Sequence, residues 1–241
     1  MYNKTDLKNK LESIHRKSYP AYKSLRGSYT FGDFVLSIDH VQGDPFAAPS
    51  SLHVELPLAK AGFPEKYFEG RHTKTALEDL ILRKFSRALD QYSFKAKGSG
   101  KSGLISTSRP GPEVMRRTAV EFTEKLLIVR FEVGFPANGR TINAQELEKI
   151  LLDFLPQIVK KCLYYQAWDK RLVQEGFELA ENQQKIREVL EERKLVAFCA
   201  NGSILPRKSG VSSQPLKDAV AFESPKSMEL AIDLPFGGSI F

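Results

Sequence analysis

Leu7, Leu11 and Ile14 recur at helical spacing behind Thr5-Asp6, a cap-forming pair, so residues 6–18 read as an amphipathic helix that Pro20 ends. Pro20 also starts a short helical turn through Tyr22 and Leu25, stopped by Gly27. Over residues 29–41 the period changes to two, with Phe34, Leu36 and Ile38 on one face and Val35, Ser37 and Asp39 on the other, which predicts a strand. Two prolines in residues 43–49 forbid ladder pairing and predict an ordered loop, after which residues 52–56 resume as a second strand able to pair antiparallel with the first. Helical spacing returns over 73–92, with Thr73 as cap and Leu77, Leu80, Ile81, Phe85 and Leu89 on one side. Residues 104–107, 118–122 and 127–133 read as strands, the last two as a hairpin through Thr123-Glu124-Lys125. Two long helices are predicted at 144–166 and 169–193, then a buried strand at 195–200, a loop-rich stretch and an alternating strand at 228–234.

Strands and helices interleave without a strict βαβ rhythm, so the expected fold is α+β: a mixed, largely antiparallel sheet packed with three to four helices. One domain is expected over 1–236, with 1–143 as a β-rich part and 144–241 as a helical part with closing strands. The 241 residues are 41% apolar, enough for a packed core, yet no stretch approaches the roughly 20 apolar residues of a membrane span. Cys162 and Cys199 stand in apolar settings with no second ligand at metal spacing, so free buried thiols, no metal site and a reducing, cytoplasmic compartment are expected.

Charge changes the picture more than composition does. The net charge is +7, and it is uneven: residues 1–26 hold seven Lys/Arg against two acids, and residues 95–117 hold six against one. A polyanion is therefore a plausible partner, although solubility alone also accounts for such a charge.

Gly98-Ser99-Gly100-Lys101-Ser102-Gly103 invites a P-loop reading and fails it, because Lys95 stands where the pattern needs glycine and a helix end precedes it in place of a strand. A weaker expectation is that consecutive glycines leave N–H groups free to hold an anion, with Lys97 and Lys101 beside Ser99 and Ser102; a flexible solvated loop is the competing reading. Arg109, Arg116 and Arg117 extend this basic surface, and Arg207 and Lys208 are candidates to join it, unless each is a structural ion-pair partner. Asp39, His40 and Asp44 at a strand end are candidates for acid–base chemistry, while Asp44 before Pro45 equally suits a turn residue that bonds its own backbone. Tyr164, Tyr165 and Trp168 are read as core aromatics in preference to base-stacking groups.

Several strings resemble the ABC-class ATPases: Gly27-Ser28-Tyr29 with Phe31-Gly32-Asp33, Ile38 through Ser50, the 99–103 loop, Arg109-Pro110-Gly111, Arg130 through Ala137 with Gly139-Arg140, and Leu195-Val196-Ala197-Phe198 with Gly202 through Arg207. The resemblance implies an N-terminal domain whose own C-terminal ABC core binds ATP and Mg, with the Walker A segment following the Gly237-Gly238 pair, so the chain would lack hydrolysis by itself. It also implies RNA or a nucleotide as partner and a homodimer, since the family includes an accessory ATPase of mitochondrial RNA editing. Asn201 departs from the Asp expected before Gly202, which removes a carboxylate from that surface.

Overall fold

The computed structural model describes residues 2–241. Its first strand, β1 (Tyr2–Asn3), runs straight into helix α1 (Lys4–Ile14). The cap is Asn3, earlier than Thr5-Asp6, because Asn3 and Asp6 satisfy each other's backbone: Asp6 N–H donates to Asn3 Oδ1 at 2.9 Å, and Asn3 N–H donates to Asp6 Oδ2 at 2.8 Å. The helix stops at Ile14, where Arg16 takes a left-handed backbone, and Pro20 lies inside the 3₁₀ segment Tyr19–Leu25.

The single strand predicted over 29–41 is instead a hairpin of β2 (Gly27–Phe31) and β3 (Phe34–His40), with Phe31 opposite Phe34. The two-residue turn begins with Gly32 at φ 74°, as a tight hairpin needs, and period two cannot reveal such a reversal because alternation continues through it. β3 pairs with β4 (Ser50–Pro57). A short helix α2 (Leu58–Ala61) and the long α3 (Arg71–Asp90) follow. Gly70 caps α3; Thr73, expected as the cap, is buried in its first turn and returns its hydroxyl to the Gly70 carbonyl at 3.0 Å. Strands β5 (Ile105–Ser106) and β6 (Val120–Phe122) share one edge of β7 (Leu126–Val133), and β4 takes the other. The sheet order is β1-β2-β3-β4-β7-β5, antiparallel except for β1 with β2.

A small hairpin, β8 (Ala137–Asn138) with β9 (Thr141–Ile142), leads to α4 (Ala144–Glu148) and α5 (Leu155–Cys162). The continuous helix predicted over 144–166 widens to π-helical turns at Lys149–Phe154. Pro156 has no N–H for the Leu152 carbonyl, so the chain loosens ahead of it, and the ammonium of Lys4 donates to the Leu152 oxygen at 3.3 Å. Helix α6 (Lys170–Glu192) is capped by Asp169 and packs along α3, where Gly176 admits Leu80.

Leu36, Val54 and Val129 stand opposite one another on three adjacent strands and face the helices, with Phe85 of α3 meeting Phe131 at 5.9 Å between ring centroids. Truncating a fully buried ring such as Phe85 to alanine costs about 3–5 kcal/mol. The opposite face of the sheet is polar, through Ser51, His53, Glu55 and Arg130.

Beyond α6 the expectations change most. Residues 195–200 form no strand, Val196 is fully exposed, and of 228–234 only β12 (Ile232–Asp233) is extended, pairing with β13 (Ser239–Ile240). Between them lies the exposed hairpin β10 (Arg207–Ser209) with β11 (Ser212–Pro215). Ile232 is buried, but the other apolar side chains of these segments are exposed or only partly covered, with no facing layer of the kind that periodicity assumes. Among the described residues no helix is long and apolar enough to cross a membrane.

Candidate functional site

Three loops meet at one end of the sheet. Lys101 N–H donates to the Pro45 carbonyl at 2.8 Å, Ser99 N–H to Ala137 at 2.7 Å, and Gly103 N–H to Gly134 at 2.9 Å. Gly134 N–H returns to Leu104 at 2.8 Å. Gln42 reaches across, its Oε1 accepting from Ser50 N–H and Phe135 N–H at 3.2 Å each. Glycine is needed because backbones touch: a Cβ on Gly134 would lie 1.9 Å from the Lys101 oxygen, and one on Gly103 would lie 2.0 Å from the Ala96 oxygen.

The Gly-Lys-Ser loop is therefore a clasp, and most of the N–H groups expected to be free for an anion are used within it; among the described residues only those of Gly98 and Gly100 make no hydrogen bond. The amides of Ser99, Lys101, Ser102 and Gly103 all donate to protein carbonyls. The hydroxyls are also spent: Ser99 Oγ accepts from Gly139 N–H, and buried Ser102 Oγ bonds Ser99 O and Ala137 N–H. ATP and Mg do not fit this loop, which has given four of its six amides to protein carbonyls and lacks the preceding strand that a nucleotide-binding turn uses.

The clasp instead displays cations. Lys97, Lys101 and Arg140 are exposed, and Arg16 and Lys17 are tied in by Arg16 N–H to Ile142 O (3.1 Å), Ile142 N–H to Lys17 O (2.9 Å) and Tyr19 N–H to Arg140 O (3.0 Å). Among the described residues none of these five side chains pairs with an acid within 4.0 Å. The Tyr19 and Tyr22 hydroxyls underneath donate to Phe135 O and Pro136 O, and burial raises both phenols well above their ordinary range. Arg16, Lys17 and Arg140 were missed as candidates because hydrogen bonds between distant segments, and no motif, tie their backbone to the clasp.

The other predicted residues divide. The Asp44 carboxylate accepts from Phe46 N–H (2.7 Å) and Ala47 N–H (3.1 Å), so it builds its own turn. Asp39 pairs with His53 Nδ1 at 2.6 Å, and Glu55 lies 3.4 Å from the other ring nitrogen, while His40 is exposed at a bulge and makes no side-chain hydrogen bond among the described residues. Asp39, His40 and Asp44 thus form no joint constellation. His53 and Glu55 were legible only as the polar beats of strand β4. A cleft of about 420 Å³ opens beside this row, lined by Asp39, Ser51, Ser108, Thr118, Arg130 and Glu132.

Arg117 and Arg83 both grip buried Asp79, at 2.6 and 2.5 Å, and Arg83 also binds the Gly111 carbonyl at 2.7 Å. Arg109 pairs with Asp90 at 2.7 Å. Arg116 is exposed and lies near Glu78, whose carboxyl is held above its ordinary range by burial while Phe122 N–H and Arg116 pull it down. Segment 109–117 is in this way strapped to α3, while Arg207 and Lys208 stand on a separate two-stranded sheet. The 39–44 and 98–103 loops converge; the arginines do not join them by any bond of their own.

Residues 4–166 match a family described as the N-terminal region of ATPases of the ABC class, and residues 169–241 match the P-loop domain of ABC ATPases. No curated protein matches the chain.

Proposed function

The chain belongs to the ATPases of the ABC class, and from that premise we propose that its N-terminal region is an accessory binding module that grips RNA, or another phosphate-bearing ligand, while ATP hydrolysis belongs to the P-loop core. The observation that carries this reading is the set of unpaired, exposed cations gathered by the clasp: Lys97, Lys101, Arg140, Arg16 and Lys17. A guanidinium or ammonium without a carboxylate partner keeps its charge for phosphate oxygens, whereas Arg109 and Arg117 have already given theirs to Asp90 and Asp79. The 98–103 loop contributes as the frame that holds Lys101 in place, not as a phosphate cradle.

The acid–base alternative built on Asp39, His40 and Asp44 draws less support, since Asp44 is consumed by its turn and His40 has no orienting partner.

Binding of single-stranded RNA followed across a salt series tests the proposal. Log affinity is expected to fall linearly with log salt, and Lys101→Ala with Arg140→Ala to flatten the slope by about 1 per cation removed. Arg109→Ala is expected to change the slope less. An affinity indifferent to salt, or a slope unmoved by the double variant, would sink the reading.

A further inference from the structure

We infer that Phe46, over Gly100, and Phe94, beside Gly103, are base-stacking platforms on the 98–103 loop, which makes the ligand a single-stranded nucleic acid in preference to a duplex or free phosphate. The inference rests on the cationic reading of the same surface. Phe46 is 64% exposed, yet its backbone is held on both sides. Its N–H is held by Asp44, the preceding carbonyl holds Lys101, and a Cβ on Gly100 would come 3.0 Å from the ring's Cδ1, so the ring lies over Gly100 with its remaining surface open.

Phe94 is 53% exposed and sits at φ 59°. A bulky residue in the left-handed region is strained, and glycine or asparagine would hold that turn at lower cost. The turn itself is set by Phe94 N–H donating to Gly103 O at 2.7 Å, and Lys97 Nζ donates to the Phe94 carbonyl at 3.3 Å. Two solvent-facing rings are therefore positioned by the loop that also carries Lys97 and Lys101, with Arg140 one hydrogen-bonded loop away through Gly139 and Ser99. Rings alternating with unpaired cations match the alternation of bases and phosphates along an unpaired strand, because a stacked base needs an open π-face that a duplex does not offer.

The test uses the chain with fluorescein-labelled single-stranded oligoadenylate and a duplex RNA of the same length. Phe46→Ala and Phe94→Asn are each expected to weaken single-strand binding about tenfold, and to leave the salt slope unchanged because no charge is lost. Phe46→Trp retains a ring and is expected to keep the affinity, and Phe94→Asn, suited to its backbone, is expected to leave the urea midpoint unlowered. Duplex binding is expected to stay the same. If the ring variants bind the single strand as the parent does while Lys101→Ala with Arg140→Ala still weakens it, the platforms are overturned and the cationic reading stands. If the parent chain shows no salt-dependent RNA binding, both fall. If Phe46→Ala instead changes the sedimentation of the chain and leaves RNA affinity untouched, the rings are a protein contact and the inference is overturned.

Discussion

At Gly134 the absence of one carbon holds a site together. Its φ is ordinary, so conformational freedom is not the reason for glycine; the Lys101 carbonyl occupies the place of a Cβ. Because that neighbour is backbone, no rotamer change relieves the clash. Gly134→Ala is expected to lower stability by about 3 kcal/mol, whereas Gly43→Ala, in open space on the adjoining loop, is expected to fall within about 1 kcal/mol of the parent. Urea midpoints of the two variants check this, and equal tolerance of both would contradict the clasp. The sequence displays these glycines plainly, but whether a glycine serves a phosphate or a passing carbonyl depends on a partner more than thirty residues away. Lys101 is the same case: it is legible as a cation, and only its fold partners show that it is unpaired.

Helix α3 carries the clearest conflict between an element's pattern and its neighbours. Its apolar stripe predicts a helix, yet Glu78 and Asp79 are buried on it, 4% and 2% exposed, because the strap at 109–117 and strand β6 lie over them. Glu78 accepts Phe122 N–H at 2.9 Å, and burial keeps its carboxyl above the ordinary range. A raised folded-state value means that the native protein holds this proton more tightly than the unfolded chain does. The contribution to stability is therefore complete below the unfolded carboxylate range and is lost as pH rises through the titration of Glu78. Glu78→Gln keeps an acceptor for Phe122 and is expected to remove that decline in a series of urea midpoints against pH; an unchanged decline would exonerate Glu78. Asp79→Ala leaves Arg83 and Arg117 without their shared anion, and is expected to cost about 3–5 kcal/mol and to open segment 109–117 to protease.

Across the whole molecule, burial is concentrated before residue 190 and thins beyond it. Cys162 and Cys199 report the difference. Burial pushes the Cys162 thiol up to about 11, and it packs against Lys84 O at 3.8 Å, whereas Cys199 is half-buried in the segment after α6. A thiol reagent at mildly alkaline pH is expected to modify Cys199 in the native chain and Cys162 only on unfolding. Equal labelling rates would mean that the α5 face is open. The segment beyond α6 exposes Val196, Val211, Val220 and Met228, within the region that matches a P-loop domain.

The α+β class, most helices, the β6–β7 hairpin and the basic character of the chain follow from the sequence alone, because periodicity and charge are local properties that survive any arrangement of the elements. The β2–β3 reversal, the π-helical turns before Pro156 and the loss of the strand at 195–200 were decided by tertiary structure: each depends on which backbone or apolar layer lies opposite. The same holds for the site. Lys97, Lys101, the loop glycines and the turn that occupies Asp44 are visible in the chain as written, but only contacts between distant segments show that Ser99, Ser102 and Arg117 are engaged and which cations are left free. Where the partner that satisfies a charge or an amide is a long-range contact, a linear pattern carries no record of it.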